Sequence, residues 1–134
     1  MKITLTNQQM VETVNTLSAL EKKVLPLKLS FAAAKNAENL KAKIYRPYVK
    51  ELEKVKEEFT EKDETGKKKK DGKGRLVYTD VEAYGEKLQE LLEIENEFDC
   101  HEITEDMLEQ CMNEDKYASL TMGEVTVLMR FAKC

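Results

Sequence analysis

From Leu29 onward, apolar residues recur in steps of four or three, at Leu29, Ala33, Ala37, Leu40, Ile44, Tyr48, Leu52, Val55 and Phe59, with Lys and Glu filling the other faces. That spacing puts all nine side chains on one face of a single long amphipathic helix. Pro47 lies inside the run, where it removes one backbone donor and its ring crowds the carbonyl four residues earlier. A kink near residues 43–46, or a break into two helices, is therefore expected, with a kinked arm the preferred form.

The remaining segments fit around this arm. With 134 residues, 41% of them hydrophobic, 7% aromatic and none Trp, the chain is expected to form one domain over 1–134 with a modest core. Residues 2–6 alternate as a strand does, and Thr6 with Gln9 matches a capping box. Met10, Val14, Leu17 and either Leu20 or Val24 then mark a helix that ends before Pro26. Residues 63–78 lose helical periodicity and hold three of the five glycines, so they read as a flexible basic hairpin or loop turning at Asp71-Gly72. Thr79 and Glu82 form a second capping box, with Asp80 as a competing cap. Val81, Tyr84, Leu88, Leu91 and Leu92 mark a helix returning along the arm.

Ile94, Phe98 and Cys100 at even spacing predict a strand within 94–103 that pairs with the N-terminal one. Thr104 then caps a helix carrying Met107, Leu108, Cys111 and Met112, and Thr121 with Glu124 opens a last one. The expected fold is α+β and mainly helical. A long kinked helix and its antiparallel return helix are joined by a basic β-hairpin or loop, beside a small sheet.

The net charge of −4 conceals a division along the chain. Residues 82–115 carry thirteen Asp or Glu against the single Lys87, whereas Lys67, Lys68, Lys69, Lys70, Lys73 and Arg75 crowd the arm's tip against Asp71. The tip can contact phosphates, with Tyr78 supplying a stacking ring. The plainer reading is a solvated loop whose lysines discourage edge pairing, and the acidic balance of the whole chain disfavours a dedicated nucleic-acid binder. Oppositely charged segments can also simply face each other in the fold.

Little in the chain points to catalysis or metal binding. His101 beside Cys100, with Asp99 and Cys111 near in sequence, is the one metal-like grouping, but adjacent strand residues point to opposite faces and no second ligand pair follows. The same divergence argues against a Cys–His nucleophile. Carboxylate pairs are inevitable in so acidic a segment, and Gly72-Lys73-Gly74 lacks phosphate-loop spacing. Met107, Met112, Met122 and Met129 read first as gap-fillers in a small core. No metal or cofactor is expected, and no enzyme activity. Three cysteines without an export signal suggest reduced thiols, with Cys134 open to adventitious oxidation. No run approaches the roughly 20 apolar residues that span a bilayer, so no membrane association is expected.

The order of features resembles a family of small uncharacterised proteins of tailed bacteriophages and prophages of Gram-positive bacteria. The residues that carry it are Met1-Lys2-Ile3-Thr4-Leu5-Thr6-Asn7, Leu25-Pro26-Leu27-Lys28-Leu29-Ser30, Glu58-Phe59 through Glu61-Lys62-Asp63-Glu64, and Leu91-Leu92-Glu93-Ile94-Glu95. The resemblance implies a phage origin and an accessory role, and it transfers no active-site residues. A non-catalytic protein in the host cytoplasm, binding a host defence factor or a phage assembly component, is the expected function. A minor virion protein near the tail is the alternative. The expected docking residues are the tip, Lys67 to Lys70 with Lys73 and Arg75, and the acidic strand residues Glu95, Glu97 and Asp99, with a protein as partner. A homodimer is compatible with the helical arm.

Overall fold

Strands β1 (Lys2–Thr6) and β2 (Glu95–Asp99) pair antiparallel, with Lys2 opposite Asp99, Thr4 opposite Glu97 and Thr6 opposite Glu95. The computed structural model describes residues 1–60 and 78–132. The expected hairpin or loop of 63–78, apart from Tyr78, lies outside the described residues, as does Cys134. Alternation decides the two faces of the sheet: Leu5 and Phe98 are buried on one, while Lys2, Thr4, Glu95, Glu97 and Asp99 stand exposed on the other. The second strand is shorter than the 94–103 segment suggests. Ile94 instead closes the preceding helix, its N–H donating to the Leu91 carbonyl at 3.4 Å, and β1 offers only five residues to pair.

Helix α1 (Asn7–Leu20) follows β1 without a loop because the capping box forms: the Thr6 hydroxyl accepts from the Gln9 N–H at 3.1 Å, and the Gln9 amide oxygen accepts from the Thr6 N–H at 3.0 Å. It buries Met10, Val14, Leu17 and Leu20. Val24, an alternative end for that stripe, lies beyond the helix and is exposed. Helix α2 (Leu27–Leu40) starts after Pro26 and buries Leu29, Ala32, Ala33, Asn36, Ala37 and Leu40.

The proline irregularity takes the form of a π-helical turn at Lys41–Tyr45, in which the Arg46 N–H reaches five residues back to the Lys41 carbonyl. Dihedral angles stay right-handed helical through Tyr45 and Arg46, and α3 (Arg46–Phe59) continues directly, so the chain does not break here. Helix α4 (Val81–Glu93) lies against α3. Phe59 and Tyr84 stack with centroids 5.6 Å apart, Lys87 meets Glu58 at 3.1 Å, and Thr60 bridges antiparallel to Tyr78.

Asp80, not Thr79, caps α4. The Thr79 hydroxyl is occupied, donating to the Phe59 carbonyl at 3.3 Å. Asp80 takes the left-handed conformation that Asp tolerates (φ 40°), and its carboxylate accepts from the Ala83 N–H at 3.2 Å. The two C-terminal helices, α5 (Glu105–Asn113) and α6 (Met122–Met129), start at Thr104 and at the Thr121–Glu124 capping box, as expected.

One contiguous apolar cluster joins Leu5, α1, α2 and Phe98 to Ile103, Leu108, Leu128 and Phe131. Two amide side chains tie its loops. Buried Asn36 grips residue 101 from both sides, its Nδ2 donating to the His101 carbonyl at 2.9 Å and its Oδ1 accepting from the His101 N–H at 2.7 Å. Asn7 donates to the Leu91 carbonyl at 2.7 Å and accepts from Asn96 at 2.9 Å, locking the end of α4 to the sheet.

Candidate functional site

Of the residues singled out in the sequence, Glu95, Glu97 and Asp99 come together on the outward face of β2. Successive members sit two residues apart, about 7 Å along the strand. Phe98, buried to 2% exposure between them, anchors the strand and so fixes the direction of its neighbours. None of the three carboxylates is in an ion pair or hydrogen bond among the described residues. Beside them Lys2 from β1 and Lys43 from the π-helical turn line a hollow of about 210 Å³ with Glu97, Phe98 and Asp99. Three carboxylates stand here against two lysines, so the acidic charge exceeds what the lysines offset. Like charges held in a row repel one another and raise the local field. Lys67, Lys68, Lys69, Lys70, Lys73 and Arg75 lie outside the described residues.

A second surface, which the periodicity does not select, lies between α2 and the segment leading into α5. Leu27, Lys28, Phe31, Ala32, His101, Glu102 and Met107 line an open groove of about 410 Å³. Leu27 is 84% exposed and Phe31 56% exposed, one helical turn apart on the face of α2 away from the core. The His101 ring stands edge-on to Phe31 with centroids 6.2 Å apart, and the Lys35 ammonium sits 5.8 Å from the Phe31 centroid. Both contacts hold the exposed ring in place. The available signal was phase: Leu27 and Phe31 are apolar but out of step with the series that starts at Leu29.

The methionines part company with the gap-filler reading. Met112, Met122 and Met129 are exposed and only Met107 is half-buried, because Leu and Phe side chains already fill the core beneath α5 and α6.

Cys100 is buried, and burial pushes its thiol up, while His101 next to it is exposed against Phe31. The two side chains therefore do not converge. Cys111 is also buried with its thiol pushed up, and its Sγ donates to the Ala118 carbonyl at 3.3 Å. Among the described residues no three His, Cys, Asp or Glu side chains gather where they could hold a metal ion. No helix among them is long and apolar enough to cross a membrane.

Compared with protein-family models, with curated proteins and with solved structures, the chain matches none of them.

Proposed function

We propose that this chain is a non-catalytic accessory protein that acts by binding another protein through the acidic face of β2. The observation that carries the reading is the row Glu95, Glu97 and Asp99, displayed outward by a strand anchored at Phe98 and left without internal ion pairs among the described residues. A basic segment laid along this face relieves the repulsion between the carboxylates, and complementary charge speeds its encounter and sets its register. The basic tip, Lys67 to Lys70 with Lys73 and Arg75, is the second docking element of the proposal. A phage origin, drawn from the resemblance of pattern, gives such binding its setting. The partner is then a host factor or a phage assembly component in the host cytoplasm, or, on the alternative reading, a neighbour in the virion tail.

The test is an affinity pull-down of the tagged chain from phage-infected cells at moderate salt, with mass spectrometry, against the triple variant E95Q/E97Q/D99N. These side chains face solvent, so the variant keeps the core intact. Loss of the captured protein in the variant supports the reading, and equal capture refutes the acidic face as the docking surface. Tail or capsid proteins in the eluate favour the virion role; a single host protein favours a host-directed one.

A further inference from the structure

The α2 groove is distinct from the acidic strand face and makes a different demand. Leu27 and Phe31 form a ridge on the outer side of α2, and the groove runs alongside it, floored by Ala32 and walled by His101, Glu102 and Met107. Ridge and groove thus belong to the same patch. A surface that carries both can fit a second copy of itself about a two-fold axis, with each copy's ridge set against the other's groove.

The charges at the rim narrow the occupant. Lys28 lines the α2 side, with Lys35 nearby over the Phe31 ring, and Glu102 lines the opposite wall just ahead of Glu105 and Asp106 at the start of α5. Lys28 and Glu102 make no ion pair within one copy. A strongly basic or strongly acidic partner would meet a like charge on one wall. A second copy related by a two-fold axis that runs along the groove meets none, because that axis sets the basic wall of each against the acidic wall of the other. From this charge balance and the shared ridge and groove, we infer that the chain forms an isologous homodimer through the α2 groove, with Leu27 and Phe31 as its apolar anchors and Lys28 paired with Glu102 of the second copy.

Sedimentation equilibrium of the full chain in reductant, so that Cys134 cannot link copies covalently, reads the dimer directly. The expected result is a concentration-dependent dimer that weakens as salt rises. The double variant L27E/F31E, placed at positions already open to solvent, raises the dissociation constant about 100-fold, as loss of two interface anchors does. K28E alone weakens the dimer about tenfold, E102K alone does the same, and the combined K28E/E102K restores it. Far-ultraviolet circular dichroism of each variant separates loss of dimer from loss of fold. A chain that stays monomeric at high micromolar concentration overturns the inference and leaves the groove to another occupant. A dimer that survives L27E/F31E forms elsewhere and overturns it equally, and failure of K28E/E102K to restore affinity overturns the two-fold pairing.

Discussion

Helices α2 and α3 are fourteen residues each and follow one another through the π-helical turn, yet α2 buries six side chains and α3 buries none. Both carry a continuous apolar stripe. The difference lies in what covers the stripe. Against α2 lie α1, α5 and the loop held by Asn36, whereas among the described residues α3 beyond the turn is met chiefly by α4, with Tyr48, Leu52, Val55 and Phe59 half-buried. An amphipathic pattern tells a helix which face to turn inward, but how many elements close over that face is decided by the tertiary arrangement.

The largest expected effect comes from removing apolar volume on either side of that boundary. Leu29 is fully buried in the body, so Leu29→Ala costs about 3 kcal/mol. Leu52 occupies the corresponding stripe of α3 but is half-exposed, and Leu52→Ala costs about 1 kcal/mol because less surface leaves water. Urea denaturation of both variants gives the ratio. Equal losses would show that the arm is covered as fully as the body.

Next comes the clamp that makes the body well covered. Asn36→Ala removes both bonds to residue 101 and leaves a backbone donor and acceptor there without their side-chain partner, a cost of about 2 kcal/mol. Hydrogen exchange should rise at 101–103 and at the start of α5, where the loop is no longer pinned to α2. A variant with unchanged exchange there would mean that apolar packing alone holds the loop.

In the arm the corresponding test is aromatic. Tyr84 stacks on Phe59 at 5.6 Å and meets Tyr78 at 4.7 Å, so Tyr84→Ala gives up two ring contacts and costs about 1 kcal/mol. The loss of amide protection should stay within α3 and α4. Spread into α1 would show that arm and body open as one cooperative unit, which would erase the distinction drawn above.

The boundary itself was legible in the sequence, though its form was not. Pro47 marked the place, but a proline says only that one donor is missing, not whether the chain bends, breaks or widens. The spacing held a further hint: from Leu40 through Ile44 and Tyr48 to Leu52 the stripe advances by four three times running, a drift of about 120° in an α-helix. The extra residue of the π-helical turn takes up most of that drift. The capping boxes at Thr6 and Thr121 and the pairing of the first strand with the acidic one were readable because each depends on a few adjacent residues. Asp80 displaced Thr79 because the Thr79 hydroxyl bonds to Phe59, a contact across twenty residues that local pattern does not contain. Of the candidate docking residues, the row Glu95, Glu97 and Asp99 follows from strand alternation. Leu27 and Phe31 were harder to select, since an apolar residue out of phase with the core stripe signals exposure only once the stripe itself is known.

The smallest expected effect separates the two regions by their ion pairs. In the body, Lys23 Nζ meets Glu124 Oε1 at 2.7 Å, with the glutamate side chain only 12% exposed and also accepting from the Thr121 N–H. The hydrogen bond from Lys23, followed by that from the Thr121 backbone, holds the Glu124 carboxyl below its usual range. A carboxyl depressed in the folded state stabilises the fold above its unfolded value and loses that contribution as pH falls through the folded one. Glu124→Gln keeps a side-chain acceptor for the cap but loses the charge, so at neutral pH it should cost less than about 1 kcal/mol. The gap between wild type and variant should then narrow as pH falls below the ordinary carboxylate range and close once the depressed native carboxyl protonates as well. In the arm, Lys87 and Glu58 are each about half exposed, and Glu58→Gln should show no measurable cost at neutral pH. Thermal unfolding between pH 3 and pH 7 reads both pairs. A Glu124→Gln gap that persists in acid would assign its effect to capping geometry rather than to charge, and an equal gap at Glu58 would mean that the arm is drier than the half-exposure of its side chains implies.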